Sequence, residues 1–302
     1  MRIGLLVNPT AGRGRGASEG EKARARLVAD GHVITDLSAP DLEGARTRGT
    51  AAVATGSIDV LCVVGGDGMV HLAVNLCAGT DIPVAIVAAG TGNDNARSLG
   101  LPLKDPDAAA ALVTDGTVRT IDAGRCVLPD GSVRWWLGVL GGGFDSVVTE
   151  RAARWSWPTG ALRYPLAVAR ELPVFRPIPY AVTVDGVRHE TQAMLVAVAN
   201  GPAFGGGMLV CPDAEYDDGM FDILILHSIS TWRFLAVFPR VFRGTHVRHP
   251  RVEILRGRRV RLEAEGIVSQ ADGERFAPLP VDLEIVPGAV RVVAPRHTGP
   301  LT

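Results

Sequence analysis

Short apolar runs, each followed by glycine-rich punctuation and then a helical pattern, open the chain and predict a parallel α/β sheet. Residues 3–7 read as a strand that runs into Asn8-Pro9-Thr10-Ala11-Gly12-Arg13-Gly14-Arg15-Gly16. A charged helix over 18–29 and a strand over 32–37 follow. Residues 59–64 form the next strand signal and lead into Gly65-Gly66-Asp67-Gly68, after which 69–77 has helical spacing of its apolar positions. Residues 83–88 repeat the pattern and run into Gly90-Thr91-Gly92-Asn93-Asp94. Asp105 before Pro106 reads as an N-cap with proline at the first helical position, opening a helix through 113.

Beyond about residue 122 strand-like segments dominate, at 133–140, 180–184, 194–199, 221–226, 260–264 and 281–286. Asp130-Gly131, Asp185-Gly186, Asp218-Gly219 and Asp272-Gly273 punctuate them as turns, the texture of a β-rich sandwich. Helical patterns interrupt it at 161–172 and 231–242. The expected boundary lies near residue 123, between an α/β first domain and a β-rich second one.

Composition narrows the function classes. The chain has 302 residues, 47% hydrophobic and 21% charged, enough for a sizeable core. A formal net charge of -1 gives no global attraction to nucleic acid. Cys62, Cys77, Cys126 and Cys211 are far apart and read as buried hydrophobes in a reduced cytosol. Met1-Arg2-Ile3-Gly4 leads straight into a strand, and no apolar run approaches the ~20 residues of a membrane span. The expectation is a cytoplasmic protein, soluble or peripheral to a membrane.

All three glycine-rich loops follow strands, so they should converge on the carboxyl edge of the sheet, where open α/β folds bind ligands. Glycine there lets backbone N–H groups approach an anion, and the following helix adds its positive end. One such loop marks no more than a tight turn. Three, two of them carrying Asp67 and Asp94, point to a nucleoside triphosphate with a divalent metal. Only Lys22 and Lys104 are lysines, neither follows a strand, and no G-x-x-x-x-G-K-[ST] loop is present. Phosphate charge must then be met by N–H groups, metal and arginine, with Arg13 and Arg15 as candidates. Gly12-x-Gly14-x-x-Ala17 fits a dinucleotide fingerprint only superficially, because no acidic residue closes the second strand convincingly.

Val7-Asn8-Pro9-Thr10-Ala11-Gly12, Gly65-Gly66-Asp67-Gly68 and Gly90-Thr91-Gly92-Asn93-Asp94 together resemble the ATP-site motifs of diacylglycerol-kinase catalytic domains. The resemblance continues through Gly142-Gly143-Phe144-Asp145, Asn200-Gly201, Gly205-Gly206-Gly207, Asp218-Gly219-Met220-Phe221-Asp222 and Asp272-Gly273-Glu274. It implies a first domain like those of phosphofructokinases and NAD kinases, a β-sandwich second domain, and a catalytic cleft between them. The nucleotide domain would be 1–123, completed by a final strand at about 291–302, with 124–290 as the lipid-substrate domain. It also implies ATP and Mg²⁺ as cofactors, with transfer of the γ-phosphoryl group to a lipid hydroxyl. Diacylglycerol, giving phosphatidic acid, comes first; a sphingoid base, glycolipid or polyprenol are the alternatives.

Carried over by position, Asn8, Gly12, Gly65, Gly66, Gly68, Gly90, Thr91, Gly92 and Asn93 would cradle the nucleotide, with Asp67 and Asp94 near Mg²⁺. Gly66→Val should abolish binding because its side chain would take the phosphate's place. Asp272 matches the general base, and Glu274 would orient its turn. Asp218 matches a structural metal site completed by main-chain carbonyls at Glu215 and Met220, oxygen ligands that suit a hard cation. Two departures stand out: Met69 replaces a usual threonine, and Ala89 a frequent proline.

Asp122 and Asp145 read as loop anchors, and the histidines show no metal spacing; His246 and His249 read as solvated. Eight arginines between Arg240 and Arg261, opposed only by Glu253, form either a solvated face or a contact for anionic lipid. The apolar stripe Trp232, Phe234, Leu235, Phe238, Val241 and Phe242 is by default core, and Trp155, Trp157 and Tyr164 are candidates for a lipid access route. An NAD kinase would carry a downstream G-x-L-G-F motif, which is absent, and a non-catalytic sensor would not need Asp272.

Overall fold

The run Val60–Gly65 (β3) is buried along its whole length, as a strand with helices on both faces requires. In the computed structural model, which describes residues 1–144, 146, 148, 166, 170 and 175–296, it lies at the middle of a parallel sheet. β1 (Arg2–Val7) and β4 (Val84–Ala88) flank it in parallel register, with Cys62 opposite both Leu5 and Ala85. β2 (Val33–Asp36) adds to the outer side of β1. Alternate strand residues feed opposite faces: Leu5 and Cys62 join the core under Ala23, Leu27 and Ala110, and Leu6 and Leu61 the core under Leu72 and Val74.

The covering helices are α2 (Gly16–Ala29), which follows a distorted turn α1 (Ala11–Gly14), α3 (Leu42–Ala54), α4 (Asp67–Cys77) and α6 (Pro106–Asp115). A short helix, α5 (Asp94–Ser98), follows the third glycine loop. Asp105 caps α6 as expected, its Oδ1 accepting the Ala108 N–H at 2.9 Å, with Pro106 next in the chain. Helix α3 has no counterpart in the sequence reading. It buries only Ala45, Gly49 and Ala52, small residues that give little apolar contrast, although Asp41 caps it on the Gly44 N–H at 2.7 Å.

The second half is antiparallel. Its long central strand β9 (Val187–Ala199) pairs with β7 (Val139–Gly143), β8 (Ile178–Val184) and β12 (Phe221–His227). β13 (Val252–Gly257) adds to β12, β14 (Arg259–Glu263) to β8, and the hairpin β15 (Val268–Ala271)–β16 (Glu274–Pro278) to β7. Trp136, stacked on Phe221 at 5.4 Å between centroids, anchors its core. The last strand, β17 (Val281–Ala294), pairs with β14 through Leu283 and bridges in parallel to β4 through Val292. β5 (Thr117–Val127) accompanies it over nearly its whole length. The architecture is an α/β first domain joined to a β-rich sandwich.

Four readings change. The single strand expected over 133–140 is two, β6 (Val133–Trp136) and β7, separated at Leu137-Gly138, whose N–H groups turn to a carboxylate instead of a ladder. The helix expected over 231–242 is α7 (Thr231–Val237) followed by a 3₁₀ segment (Phe238–Arg243), because Pro239 cannot donate an N–H. The strand expected over 281–286 runs on to Ala294. The arginine-rich stretch contains β13, and its Arg256 and Arg261 are ion-paired with Asp218 and Asp282. The helical pattern at 161–172, apart from residues 166 and 170, and Asp145, Trp155, Trp157 and Tyr164 lie outside the described residues. The four cysteines are buried and free, and among the described residues no helix is long and apolar enough to cross a membrane.

Candidate active site

The first and third glycine loops meet the second at the carboxyl edge of the parallel sheet. A Cβ on Gly66 would lie 3.1 Å from the Gly90 Cα, and one on Gly90 would intrude further on Gly66. These glycines pack backbone on backbone, so a side chain at Gly66 crowds the neighbouring loop. Asn93, in the left-handed region at φ 56°, closes the third loop on itself: its Oδ1 accepts the Gly90 N–H at 2.9 Å and its Nδ2 donates to the Gly90 carbonyl at 3.0 Å. Asn8 closes the first, accepting from the Thr10 N–H at 3.1 Å and the Thr10 hydroxyl at 2.8 Å. A Cβ on Gly12 would strike the Ala89 carbonyl.

Three of the predicted carboxylates converge behind these loops. Asp67, at the start of α4, accepts the Asn95 N–H at 3.1 Å. Burial pushes its carboxyl above the ordinary carboxylate range, the Asn95 amide opposes this, and the charges of Asp94 and Asp272 add to the rise. Asp94 is engaged on both oxygens: Oδ1 accepts from Arg97 at 2.9 Å and from the Gly207 N–H at 2.6 Å, and Oδ2 from the Gly206 N–H at 2.7 Å. Asp272 sits in the β15–β16 turn in the left-handed region at φ 52°, its side chain 1% exposed. Its Oδ1 accepts the Gly138 N–H at 2.7 Å, and its Oδ2 accepts the Leu137 N–H at 3.0 Å.

The donor set fits a divalent cation unevenly. A half-buried Asp67 beside two further carboxylates would be stabilised by a compensating cation, which suits Mg²⁺. Asp94 also ties the first domain to the Gly205–Gly207 turn of the second through both of its oxygens. Asp218, expected at a structural metal site, is also engaged. Its carboxylate accepts the Met220 N–H at 2.9 Å and pairs with the Arg256 guanidinium, so a cation already stands where the structural metal was expected with Glu215 and Met220.

A polar pocket of about 720 Å³ opens onto Gly66, Gly68, Gly90, His71, Glu274 and Arg134. Glu274 reaches over the start of α4, where a Cβ on Gly68 would meet its Oε1 at 2.7 Å. Met69 is buried and packs on Gly65, so it fills the space behind the loop. Thr91 lies on the other side, in a basic pocket of about 390 Å³ with Arg13, Arg15, Arg97 and Lys104. A Cβ on Gly92 would stand 3.0 Å from Asp67 Oδ2.

Sequence reasoning missed His71, whose Nδ1 lies 3.2 Å from Asp272 Oδ2, and Lys104, which joins the basic pocket. Only its helical offset of four from Asp67 marked His71 in advance, since such residues share a helix face. Asp122 anchors loops as expected, accepting the N–H groups of Gly219 at 2.7 Å and Gly288 at 2.8 Å. His246 is buried, its Nε2 on the Val210 carbonyl at 3.0 Å, not solvated.

A second, apolar cavity of about 110 Å³ lies in the sandwich, lined by Val139, Phe144, Phe204, Met208, Phe234 and Phe238 among others. Phe204 and Met208 belong to β10 (Ala203–Phe204) and β11 (Met208–Leu209), which flank the very turn that holds Asp94.

The diacylglycerol kinase catalytic domain family matches residues 2–126, and the YegS C-terminal NAD kinase beta sandwich-like domain matches residues 138–294. A Mycobacterium tuberculosis protein named diacylglycerol kinase is 41% identical over 98% of this chain and 96% of its own length. The chain belongs to the diacylglycerol kinase family. A Bacillus subtilis member named diacylglycerol kinase is 28% identical over 98% of this chain and 97% of its own. A crystal structure of a family member from Bacillus anthracis superposes with a TM-score of 0.78 at 25% identity, covering 98% of this chain and 97% of that one. An Archaeoglobus fulgidus NAD kinase in complex with ATP shares the fold alone, at a TM-score of 0.55 and 13% identity.

Proposed function

We propose that this protein transfers the γ-phosphoryl group of ATP to a lipid hydroxyl, diacylglycerol giving phosphatidic acid. The observation that carries the reading is the position of Val139. Its carbonyl accepts the Asp272 N–H at 3.1 Å while its side chain lines the apolar cavity. A single residue thus separates a buried catalytic carboxylate from a compartment suited to alkyl chain. On the opposite side, the polar pocket and the glycine loops offer a site for the nucleotide.

Phosphoryl transfer is in line, and catalysis consists mostly of positioning and charge stabilisation. The Gly66 and Gly90 loops would let the phosphates approach the backbone closely, at the amino end of α4. Asp67 is the carboxylate that would hold Mg²⁺, which would supply positive charge against the phosphates. Asp272 drives removal of the hydroxyl proton from behind the polar pocket, which Glu274 borders. α7 and the segment after it line the apolar cavity with Phe234, Val237, Phe238 and Val241. Their outer face carries Trp232, 82% exposed, with Leu235 and Phe242, beside exposed Arg233, Arg240 and Arg243. This face suits reversible contact with an anionic bilayer, from which the lipid is drawn.

Incubation of the protein with γ-labelled ATP and a panel of lipid alcohols tests the reading. Labelled phosphatidic acid from diacylglycerol is expected. Label in a sphingoid base, glycolipid or polyprenol instead would move the acceptor class, and label in none of them would overturn the assignment.

A further inference from the structure

Asp272 is poorly placed to meet a substrate directly. Its side chain is 1% exposed, both oxygens already accept main-chain N–H groups from Leu137 and Gly138, and it does not border the polar pocket. His71 does border that pocket, with its side chain 18% exposed. The ring meets Asp272 Oδ2 through Nδ1 at 3.2 Å. A carboxylate already accepting two N–H groups is an acceptor here, so Nδ1 must be the protonated nitrogen, which leaves the lone pair on Nε2. Nε2 has no hydrogen-bond partner among the described residues.

We infer that His71, backed by Asp272, is the group that accepts the acceptor hydroxyl's proton; this rests on the phosphotransfer reading above. The proton moves to Nε2 as an oxygen lone pair forms the bond to the γ-phosphorus. The bond from that phosphorus to its bridging oxygen breaks, and its electron pair leaves on the nucleoside diphosphate. The imidazolium, paired with Asp272, then passes its proton to solvent. Asp272 holds the ring and its tautomer and balances the imidazolium charge, the division of labour seen in other carboxylate–imidazole pairs. The helix that carries the ring is held too: the Asn75 side chain donates to the His71 main-chain carbonyl at 2.9 Å and to the Trp135 carbonyl at 2.9 Å, fixing α4 against β6. The other charged groups bordering the pocket are Arg46 of α3, Arg134 of β6, and Glu274 and Arg275 of β16, with Asp67 one turn earlier on α4.

The test compares wild type with His71→Ala and His71→Asn, using γ-labelled ATP and a short-chain diacylglycerol. Nucleotide affinity is measured separately, and folding by thermal melt. Asn can still donate an N–H toward Asp272 but cannot accept a proton. Both variants should lose about 10²–10⁴ in kcat with nucleotide affinity retained. The acid limb of the wild-type pH–kcat profile should vanish in His71→Asn, and added imidazole should partly restore His71→Ala. A folded His71→Asn turning over at near wild-type rate would show that His71 only positions Asp272 and would overturn the inference. A persisting acid limb would do the same. A wild type that labels no lipid would overturn the phosphotransfer reading and this inference with it, whereas an active wild type beside active variants overturns this inference alone.

Discussion

Asp94 Oδ2 accepts the Gly206 main-chain N–H at 2.7 Å, joining a residue of the nucleotide-side loop to one 112 positions later in the sandwich. With the Gly207 N–H on the other oxygen, the carboxylate acts as a two-pronged clamp across the domain junction. The clamped turn is flanked by Phe204 and Met208, which face the apolar cavity.

Asp94→Ala should therefore strand two N–H groups and the Arg97 guanidinium. A loss of ~1–3 kcal/mol is expected from denaturant melts, the range for a lost partner at part-buried donors. The KM for lipid should rise with it, because the hairpin lining the cavity loosens. An unchanged unfolding midpoint would remove the clamp.

Asp272→Asn should lower kcat by about 10²–10⁴ while nucleotide binding survives. The new amide sets an N–H₂ group against the N–H of Leu137 or Gly138, so a lower Tm is also expected. Binding by fluorescent nucleotide and turnover by label transfer separate the two effects. Turnover near wild type in a folded variant would exclude Asp272 from the chemistry.

Asp67 gives a prediction with a pH sign. Burial raises its carboxyl in the folded state, so its contribution to stability is present at acidic pH and is lost as pH rises through the folded-state value. At neutral pH the ionised group burdens the fold. Asp67→Asn should then melt a few degrees higher than wild type at neutral pH. The gain should disappear below the ordinary aspartate range, and activity should be lost. Mg²⁺ should raise the Tm of the wild type and not of the variant.

The outer face of α7 predicts salt-sensitive membrane binding. Sedimentation with anionic vesicles should exceed that with neutral ones, and added salt should weaken it by screening. Each arginine near the surface is worth ~1 kcal/mol there. Trp232→Glu should reduce binding without changing turnover of a soluble short-chain lipid. Equal sedimentation with both vesicle types would leave this face a solvated surface.

What could be read from the sequence was what is local. Asp105 announces a helix start because cap and amide lie three residues apart, and each glycine loop follows its strand directly. Placing the loops at one edge followed from parallel topology alone. What escaped depends on residues brought from far along the chain. His71 and Asp272 are 201 positions apart. Arg256 meets Asp218 only because β13 lies beside β12, in a stretch that read as cationic surface. The break between β6 and β7 has no sequence mark either, since Val133–Gly143 is apolar enough for one strand. It exists because Asp272 competes successfully for two N–H groups. The stripe around Phe234 read as core and is divided, with Phe234 and Phe238 on the cavity and Trp232 and Leu235 outside.

The path of β17 has a consequence for the order in which the protein can be made. β4 reads Val-Ala-Ile-Val-Ala, and on one side it meets β3, on the other β17 at Val292. During synthesis from the amino end, the chain must emerge from Ala88 as far as Val292 before that second neighbour exists. Throughout that interval the nascent first domain presents an apolar strand with one unsatisfied edge, the kind of surface on which chains adhere to one another. Removing residues 281–294 would thus do more than trim the sandwich: it would leave the nucleotide-binding sheet permanently at that stage of assembly.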